Sequence, residues 1–156
     1  MSLRPTYDKA LAKLQSYCAY QERCHKEVRQ KLLDLGIYGD DLNEIIATLI
    51  EDNFLNEQRY AIAFAGGKFR VKQWGKYRIT RALKQNNISA YCIKKAIESE
   101  IEYEDYIATL DAIIEKRNRL LKEKNPFRRR QKIAQYALDK GFESSLIWER
   151  INLFYK

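Results

Sequence analysis

Residues 28–37, VRQKLLDLGI, carry the pattern that decides the fold. A β-branched residue, Val28, stands eight positions before a turn residue, Gly36, and an apolar residue follows the turn directly. Apolar residues lead up to Gly36 at helical spacing, and glycine at such a place is typical of a left-handed helix C-cap. The stretch therefore predicts the end of one amphipathic helix, a short turn and the beginning of another.

Two further stretches repeat this pattern, ITRALKQNNI at residues 79–88 and IAQYALDKGF at residues 133–142. A repeat at a period of about 50 residues is typical of stacked units that cannot bury their apolar faces alone. We therefore predict an all-α fold, an elongated tandem array of three three-helix (helix-turn-helix-like) repeats. Their expected limits are residues 3–52, 53–100 and 101–156.

Polar residues at the expected helix starts agree with this division. Asn56 and Asn125 each precede an amphipathic segment, and their side chains can accept a hydrogen bond from the first turn. Gly66-Gly67 stand inside the fourth predicted helix, where glycine is costly, so they indicate either a close approach by another element or a bend.

The composition favours a basic helical protein of the cytoplasm. The 156 residues include 29 Lys and Arg against 21 Asp and Glu, for a net charge of +8, with only 6 Gly and 2 Pro. Three cysteines without a Cys-x-x-Cys pair predict neither a closed disulfide set nor a zinc site. No apolar run follows Arg4 and none reaches the length of a membrane span, so we expect no signal peptide and no membrane partner.

The positive charge is concentrated in residues 58–97, which contain ten basic residues and no acidic one. An ordinary solvated helix face mixes the two signs and gains i,i+4 pairs, whereas this segment has none of them. We therefore predict that it faces an anionic partner, with single-stranded DNA and an acidic protein surface as the alternatives.

Basic and aromatic residues alternate within this segment, as they do on surfaces that follow phosphates and stack bases. Phe69 and Trp74 are expected in the core, and Tyr77 is the better candidate for an exposed ring. Arg128-Arg129-Arg130 covers most of a helix turn, so at least one guanidinium should point outward. The predicted binding residues are Lys68, Arg70, Lys72, Lys76, Tyr77, Arg78, Arg81, Arg128, Arg129 and Arg130.

The charge pattern after residue 97 has a structural explanation. Residues 98–115 carry seven acids and no base, whereas residues 116–132 carry nine bases and one acid. Acids at the start of a long helix and bases at its end are what the helix dipole favours.

Nothing in the sequence predicts catalysis, a cofactor or a metal. The single histidine, His25, is next to Cys24, but adjacent helical side chains diverge and do not form a dyad. Glu98, Glu100 and Glu102 could in principle hold a divalent ion, although alternate spacing scatters them around a helix. We predict a protein that is not an enzyme.

Four motifs in order resemble the bacterial RecX family. They are Val28–Gly36, Phe54–Ala61, Trp74–Ile79 with Leu83, and Gly141-Phe142. Two departures concern helix starts: Cys24 stands where the family often has a serine cap, and Asn56-Glu57 stands where it often has paired aspartates. Neither departure touches the basic segment.

The resemblance implies a regulator that binds the RecA recombinase filament, in DNA recombination, DNA repair and the SOS response. It implies docking in the helical groove of the filament, blocked filament growth, and reduced ATP hydrolysis, strand exchange and co-protease activity. The alternative is a general nucleic-acid-binding helical module or a transcription regulator, since two helices joined by a short turn also suit a DNA reader.

Overall fold

The computed structural model describes residues 6–155, and within that range the chain forms nine helices and no strand. The all-α prediction is confirmed. None of these helices is both long and apolar enough to cross a membrane. Residues 1–5 and 156 lie outside the described residues. They include the outer limits of the first and third predicted repeats and most of the N-terminal stretch on which the signal-peptide prediction rests. The helices are α1 (Tyr7–Tyr20), α2 (His25–Asp34), α3 (Gly39–Glu51), α4 (Glu57–Arg70), α5 (Lys76–Gln85), α6 (Ala90–Glu100), α7 (Tyr103–Leu120), α8 (Pro126–Asp139) and α9 (Ser144–Phe154).

The predicted caps are present at the helix starts. The Asn56 side chain accepts from the Arg59 backbone N–H at 2.9 Å, and the Asn125 side chain accepts from that of Arg128 at 3.0 Å. Ser89, which is not among the predicted caps, caps α6 in the same way. Each of these caps satisfies one of the amide groups that a helix start leaves without an intrahelical partner.

The repeated turn has the backbone conformation that the sequence predicts. Gly36 and Gly141 follow the last residues of α2 and α8 with φ of 82° and 105°. Asn87 takes the equivalent position after α5 with φ of 62°, which asparagine tolerates better than most residues. The turns therefore end the second helix of each predicted repeat in the same way.

The helices associate in three consecutive groups, α1–α3, α4–α6 and α7–α9, but their buried side chains form only two clusters. One cluster lies within the first group and includes Leu14, Leu32 and Leu49. The other runs continuously from α4 to α9 and also includes Cys24, at the start of α2. The second and third groups therefore share a core, as stacked repeats are expected to, whereas most buried residues of the first group form a core of their own.

The two glycines of α4 differ in their surroundings. Gly66 is buried, and a Cβ there would lie 2.6 Å from the Glu100 carboxylate oxygen Oε1, while a Cβ at Gly67 would enter open space. The helix continues through both residues. The expected close approach is confirmed at Gly66 only.

Candidate nucleic-acid interface

The predicted basic residues of the middle of the chain lie at the end of α4, on the connection that follows it and on α5. We call Lys68, Arg70, Lys72, Lys76, Tyr77, Arg78 and Arg81 the α4–α5 surface. Residues 71–75 connect the two helices, and Gln73 takes a left-handed conformation with φ of 57°. Val71, at the turn, is 77% exposed between two exposed bases, Arg70 and Lys72.

The C-terminus of α8 fixes the start of α5. The Gly75 N–H donates to the Lys140 carbonyl at 2.8 Å, and the Tyr77 N–H donates to the Gly141 carbonyl at 3.0 Å. Carbonyls at a helix C-terminus carry partial negative charge, and amides at a helix N-terminus carry partial positive charge. The contact therefore offsets the unfavourable placement of basic residues in the first turn of α5.

A buried tyrosine completes this attachment. The Tyr106 hydroxyl accepts from the Lys76 backbone N–H at 3.0 Å and donates to the Glu143 carboxylate at 2.5 Å. Burial first, and then the hydrogen bond to Glu143, raise the pKa of Tyr106 well above its ordinary value. The hydroxyl thus stays protonated and bridges α5 to the start of α9.

The aromatic residues of the segment divide as the sequence predicts. Phe69 is buried, and Trp74 is partly buried against the larger core. The Lys68 ammonium and the Arg78 guanidinium lie over the Trp74 ring, 4.9 Å and 4.3 Å from its centroid. Tyr77, by contrast, is 59% exposed, so its ring is the accessible one on this surface.

The bases of the α4–α5 surface are not equally available. Lys72 and Arg81 are exposed, and Arg70 is exposed but 3.3 Å from the Glu100 carboxylate. The half-buried Lys76 has its ammonium 4.7 Å from the centroid of the Tyr106 ring, and the Arg78 guanidinium donates to the Asp139 carbonyl at 3.4 Å. Lys72 and Arg81 are therefore the bases best placed to meet a ligand.

Arg59, from the same acid-free segment, has a structural role that its sequence neighbours do not indicate. Its Nε lies 2.6 Å from the Glu22 carboxylate, and its Nη2 donates to the Asn53 carbonyl at 2.9 Å. Glu22, which is far from Arg59 in sequence, thus pairs with a charge for which residues 58–97 offer no acidic partner.

The three arginines of α8 have different surroundings. Arg128 is exposed and Arg130 is half-buried. The Arg129 Nε donates to the Asn118 side chain at 2.6 Å, and its Nη1 donates to the carbonyls of Leu121 and Glu123 at 3.1 and 2.6 Å. Its Nη2 also donates to the Asn118 carbonyl. Arg129 therefore holds the connection between α7 and α8, and Arg128 is the arginine that points outward.

The residues considered for catalysis or metal binding are not brought together. His25 is exposed at the start of α2, while Cys24 is fully buried, and burial raises the pKa of its thiol. A thiol with a raised pKa is a poor nucleophile near neutral pH. Among residues 6–155, no group of three or more His, Cys, Asp or Glu is placed to hold a metal ion.

Two domain descriptions of one family match the chain. The second three-helix domain of RecX matches residues 56–97, and the third three-helix domain of RecX matches residues 104–151. Together the two matches cover more than half of the sequence. The chain belongs to the RecX family.

Several relatives carry the name regulatory protein RecX. That of Bacillus cytotoxicus is 25% identical over 139 residues, which are 89% of this chain and 51% of the relative. That of Clostridium perfringens strain 13 is 30% identical and covers 78% of this chain and 57% of the relative. That of Thermotoga maritima is 28% identical, with 85% and 76% covered. The chain spans about half the length of the first of these relatives.

Solved RecX structures have the same fold. The crystal structure of RecX from Lactobacillus salivarius is 25% identical, with a TM-score of 0.83 over 94% of this chain and 95% of that one. A second RecX crystal structure, at 22% identity, has a TM-score of 0.84 over 94% and 73% of the two chains. In the present structure, two of the stretches that resemble RecX, Trp74–Ile79 and Gly141-Phe142, meet at the contact between α5 and α8.

Proposed function

We propose that this protein binds the RecA filament on single-stranded DNA and inhibits it. It docks in the helical groove of the filament, spans neighbouring protomers and blocks filament growth. ATP hydrolysis, strand exchange and co-protease activity fall as a consequence. The protein acts by binding, without catalysis, in the bacterial cytoplasm, and its units are residues 3–52, 53–100 and 101–156.

Membership of a family of regulatory proteins supports a regulatory role, and the charge of the α4–α5 surface supports the nature of the partner. Two facts together carry the proposal. Residues 58–97 contain no acid, and within them the start of α5 is attached to α8 by backbone hydrogen bonds. Lys72 and Arg81 reach solvent from a backbone that is fixed by hydrogen bonds between helix ends. A fixed backbone limits the conformational freedom that is lost on binding to that of the side chains themselves.

The test is a titration of the protein into RecA that has been assembled on single-stranded DNA, with the rate of ATP hydrolysis as the readout. Binding to the same DNA without RecA is measured in parallel by fluorescence anisotropy. We expect the hydrolysis rate to fall with added protein, at concentrations where the naked DNA is only weakly bound.

The alternative, a general nucleic-acid-binding module or transcription regulator, predicts the opposite pair of results. Naked DNA would be bound at nanomolar concentrations at physiological salt, and ATP hydrolysis by RecA would not change. That pair would replace the proposed function.

A further inference from the structure

A second basic surface lies at the far end of α8, where α7 joins it. We call this region, residues 119–132, the α7–α8 tip. Its exposed bases are accompanied by two exposed apolar side chains, Phe127 at 71% and Leu120 at 62%. The exposed bases of the tip are Arg119, Lys122, Lys124, Arg128 and Lys132.

The helix dipole explains only half of this charge. Bases near the end of α7 are favoured there, but Arg128 and Arg129 lie in the first turn of α8, where cations are unfavourable. Carbonyls of α7 and its connection offset Arg129, while Arg128 remains exposed. Stability of α8 alone therefore does not account for Arg128.

The two basic surfaces occupy opposite ends of one helix. The C-terminus of α8 contacts the α4–α5 surface directly, since the Lys140 ammonium donates to the Lys72 carbonyl at 2.8 Å and Arg78 donates to Asp139. The N-terminus of α8 belongs to the tip. A helix of 14 residues is about 21 Å long, which sets the separation of the two surfaces.

An exposed polar stripe connects them. Arg128, Lys132, Gln135 and Asp139 follow one another at spacings of four, three and four, and all four are exposed. Residues at this spacing share a helix face. The one acid of the stripe, Asp139, accepts from the Gln135 amide at 2.8 Å, and its carbonyl accepts from Arg78. The stripe therefore leads from the tip to the α4–α5 surface.

We propose that one single strand of DNA binds along this face of α8, held at the α4–α5 surface and at the α7–α8 tip, with a base stacked on Phe127. This inference rests on the proposed function, because it assigns the strand within the filament as the ligand. Exposed aromatic rings beside bases are what non-specific single-strand binders use. The rise of about 3.4 Å per phosphate in a stacked, B-form strand makes about six nucleotides the upper limit for spanning 21 Å, and a more extended strand needs fewer.

The experiment measures the affinity of the full chain for labelled oligothymidylates of increasing length. We expect affinity to rise at least about tenfold by a length of about six nucleotides, because the second contact then becomes intramolecular. Phe127→Ala and Arg128→Glu should each remove most of this rise, while binding of the shortest oligonucleotide changes little. Phe154→Ala, which removes another exposed phenylalanine, is the matched control.

Several results would overturn the inference. One is an affinity that rises smoothly with length in wild type and in Phe127→Ala alike. Another is that Phe127→Ala loses as much affinity for heparin as for DNA, because heparin has no bases that could stack on the ring. Tighter binding of the tip to phosphatidylserine vesicles than to DNA would also overturn it, in favour of a membrane surface.

The RecA assay separates this inference from the proposed function. If the protein inhibits ATP hydrolysis by RecA but its affinity for DNA does not depend on oligonucleotide length, the strand along α8 is wrong and the filament role stands. If affinity depends on oligonucleotide length but ATP hydrolysis by RecA is not inhibited, the filament role is wrong and the two contacts of DNA with α8 stand. Circular dichroism and melting temperature establish that each variant is folded, so that neither loss is due to unfolding.

Discussion

Gly75 and Gly141 lie backbone against backbone at the contact between α5 and α8. A Cβ on Gly75 would overlap the Gly141 carbonyl and the Phe142 nitrogen. A Cβ on Gly141 would lie 3.0 Å from the Gly75 carbonyl oxygen and 2.7 Å from the Arg78 nitrogen. The start of α5 can donate hydrogen bonds to carbonyls at the end of α8 here because neither glycine has a side chain.

Gly75→Ala should therefore destabilise the protein by about 1–3 kcal/mol, the usual cost of overpacking. Gly141→Val should cost at least about 1 kcal/mol, since valine is also poorly suited to a positive φ. The control is Gly67→Ala, which enters open space in a helix and should stabilise by about 0.5–1 kcal/mol. Urea unfolding measures all three, and an unchanged midpoint for Gly75→Ala would contradict the close contact.

The sequence predicts the helices and their caps because both depend on residues close together in the chain. Asn56, Asn125, Gly36 and Gly141 are recognisable from their neighbours alone. The contact of Gly75 with Gly141 cannot be recognised in this way, because the two residues are far apart in sequence. The helix pattern around each glycine is complete without reference to the other. The repeat likewise does not show that the first helix group has its own core while the second and third share one, because that difference depends on contacts between distant residues.

Arg129→Ala should destabilise the protein by about 2 kcal/mol or more, because it removes charged hydrogen bonds to carbonyls at the end of α7. Arg128→Ala, one position away, removes an exposed side chain and should change the free energy of unfolding by less than about 0.5 kcal/mol. Chemical denaturation of the pair tests the assignment. Equal stability of the two variants would show that Arg129 is not the residue that holds the connection.

The sequence indicates where basic residues are concentrated but not the role of each base. Residues 58–97 contain no acid, yet in the structure Arg59 pairs with Glu22 and Arg70 pairs with Glu100. Such pairs depend on which distant helices become neighbours, and local spacing cannot show them. Phe127 gives no periodic signal either, and only its exposure beside Arg128 draws attention to it.

Tyr106→Phe should cost about 1–3 kcal/mol, because the Lys76 N–H and Glu143 lose their common partner. The pKa of Tyr106 is raised in the folded state, so its contribution is fully present below the unfolded value near 10 and is lost as the pH rises above it. Wild type should therefore lose stability above about pH 10 more steeply than the variant. Tyr91→Phe, which removes an exposed hydroxyl, is the control for urea unfolding at pH 7 and pH 10.5.

Charge reversal at Lys72, Arg81 and Lys84 to glutamate should weaken binding to the RecA filament at least about tenfold and leave helicity unchanged. All three side chains are exposed on the α4–α5 turn and α5, so their loss removes attraction without opening the core. The matched control reverses Lys9, Lys13 and Arg29, which are exposed on α1 and α2 and change the net charge equally. If both triple variants lose affinity to the same extent, the effect belongs to net charge and not to this surface.

The dependence of binding on salt separates DNA from an acidic protein surface as the partner of these bases. Each phosphate neutralised on a single strand contributes about 0.7 to the negative slope of log affinity against log salt concentration. Contact with about four or more phosphates should give a slope near −3 or steeper, and Arg81→Ala should reduce its magnitude by about 0.7. Arg81 suits this test better than Arg70, whose charge is shared with Glu100. If the bases instead meet carboxylates of RecA, naked DNA binding will be weak and unchanged by Arg81→Ala, while inhibition of ATP hydrolysis still falls.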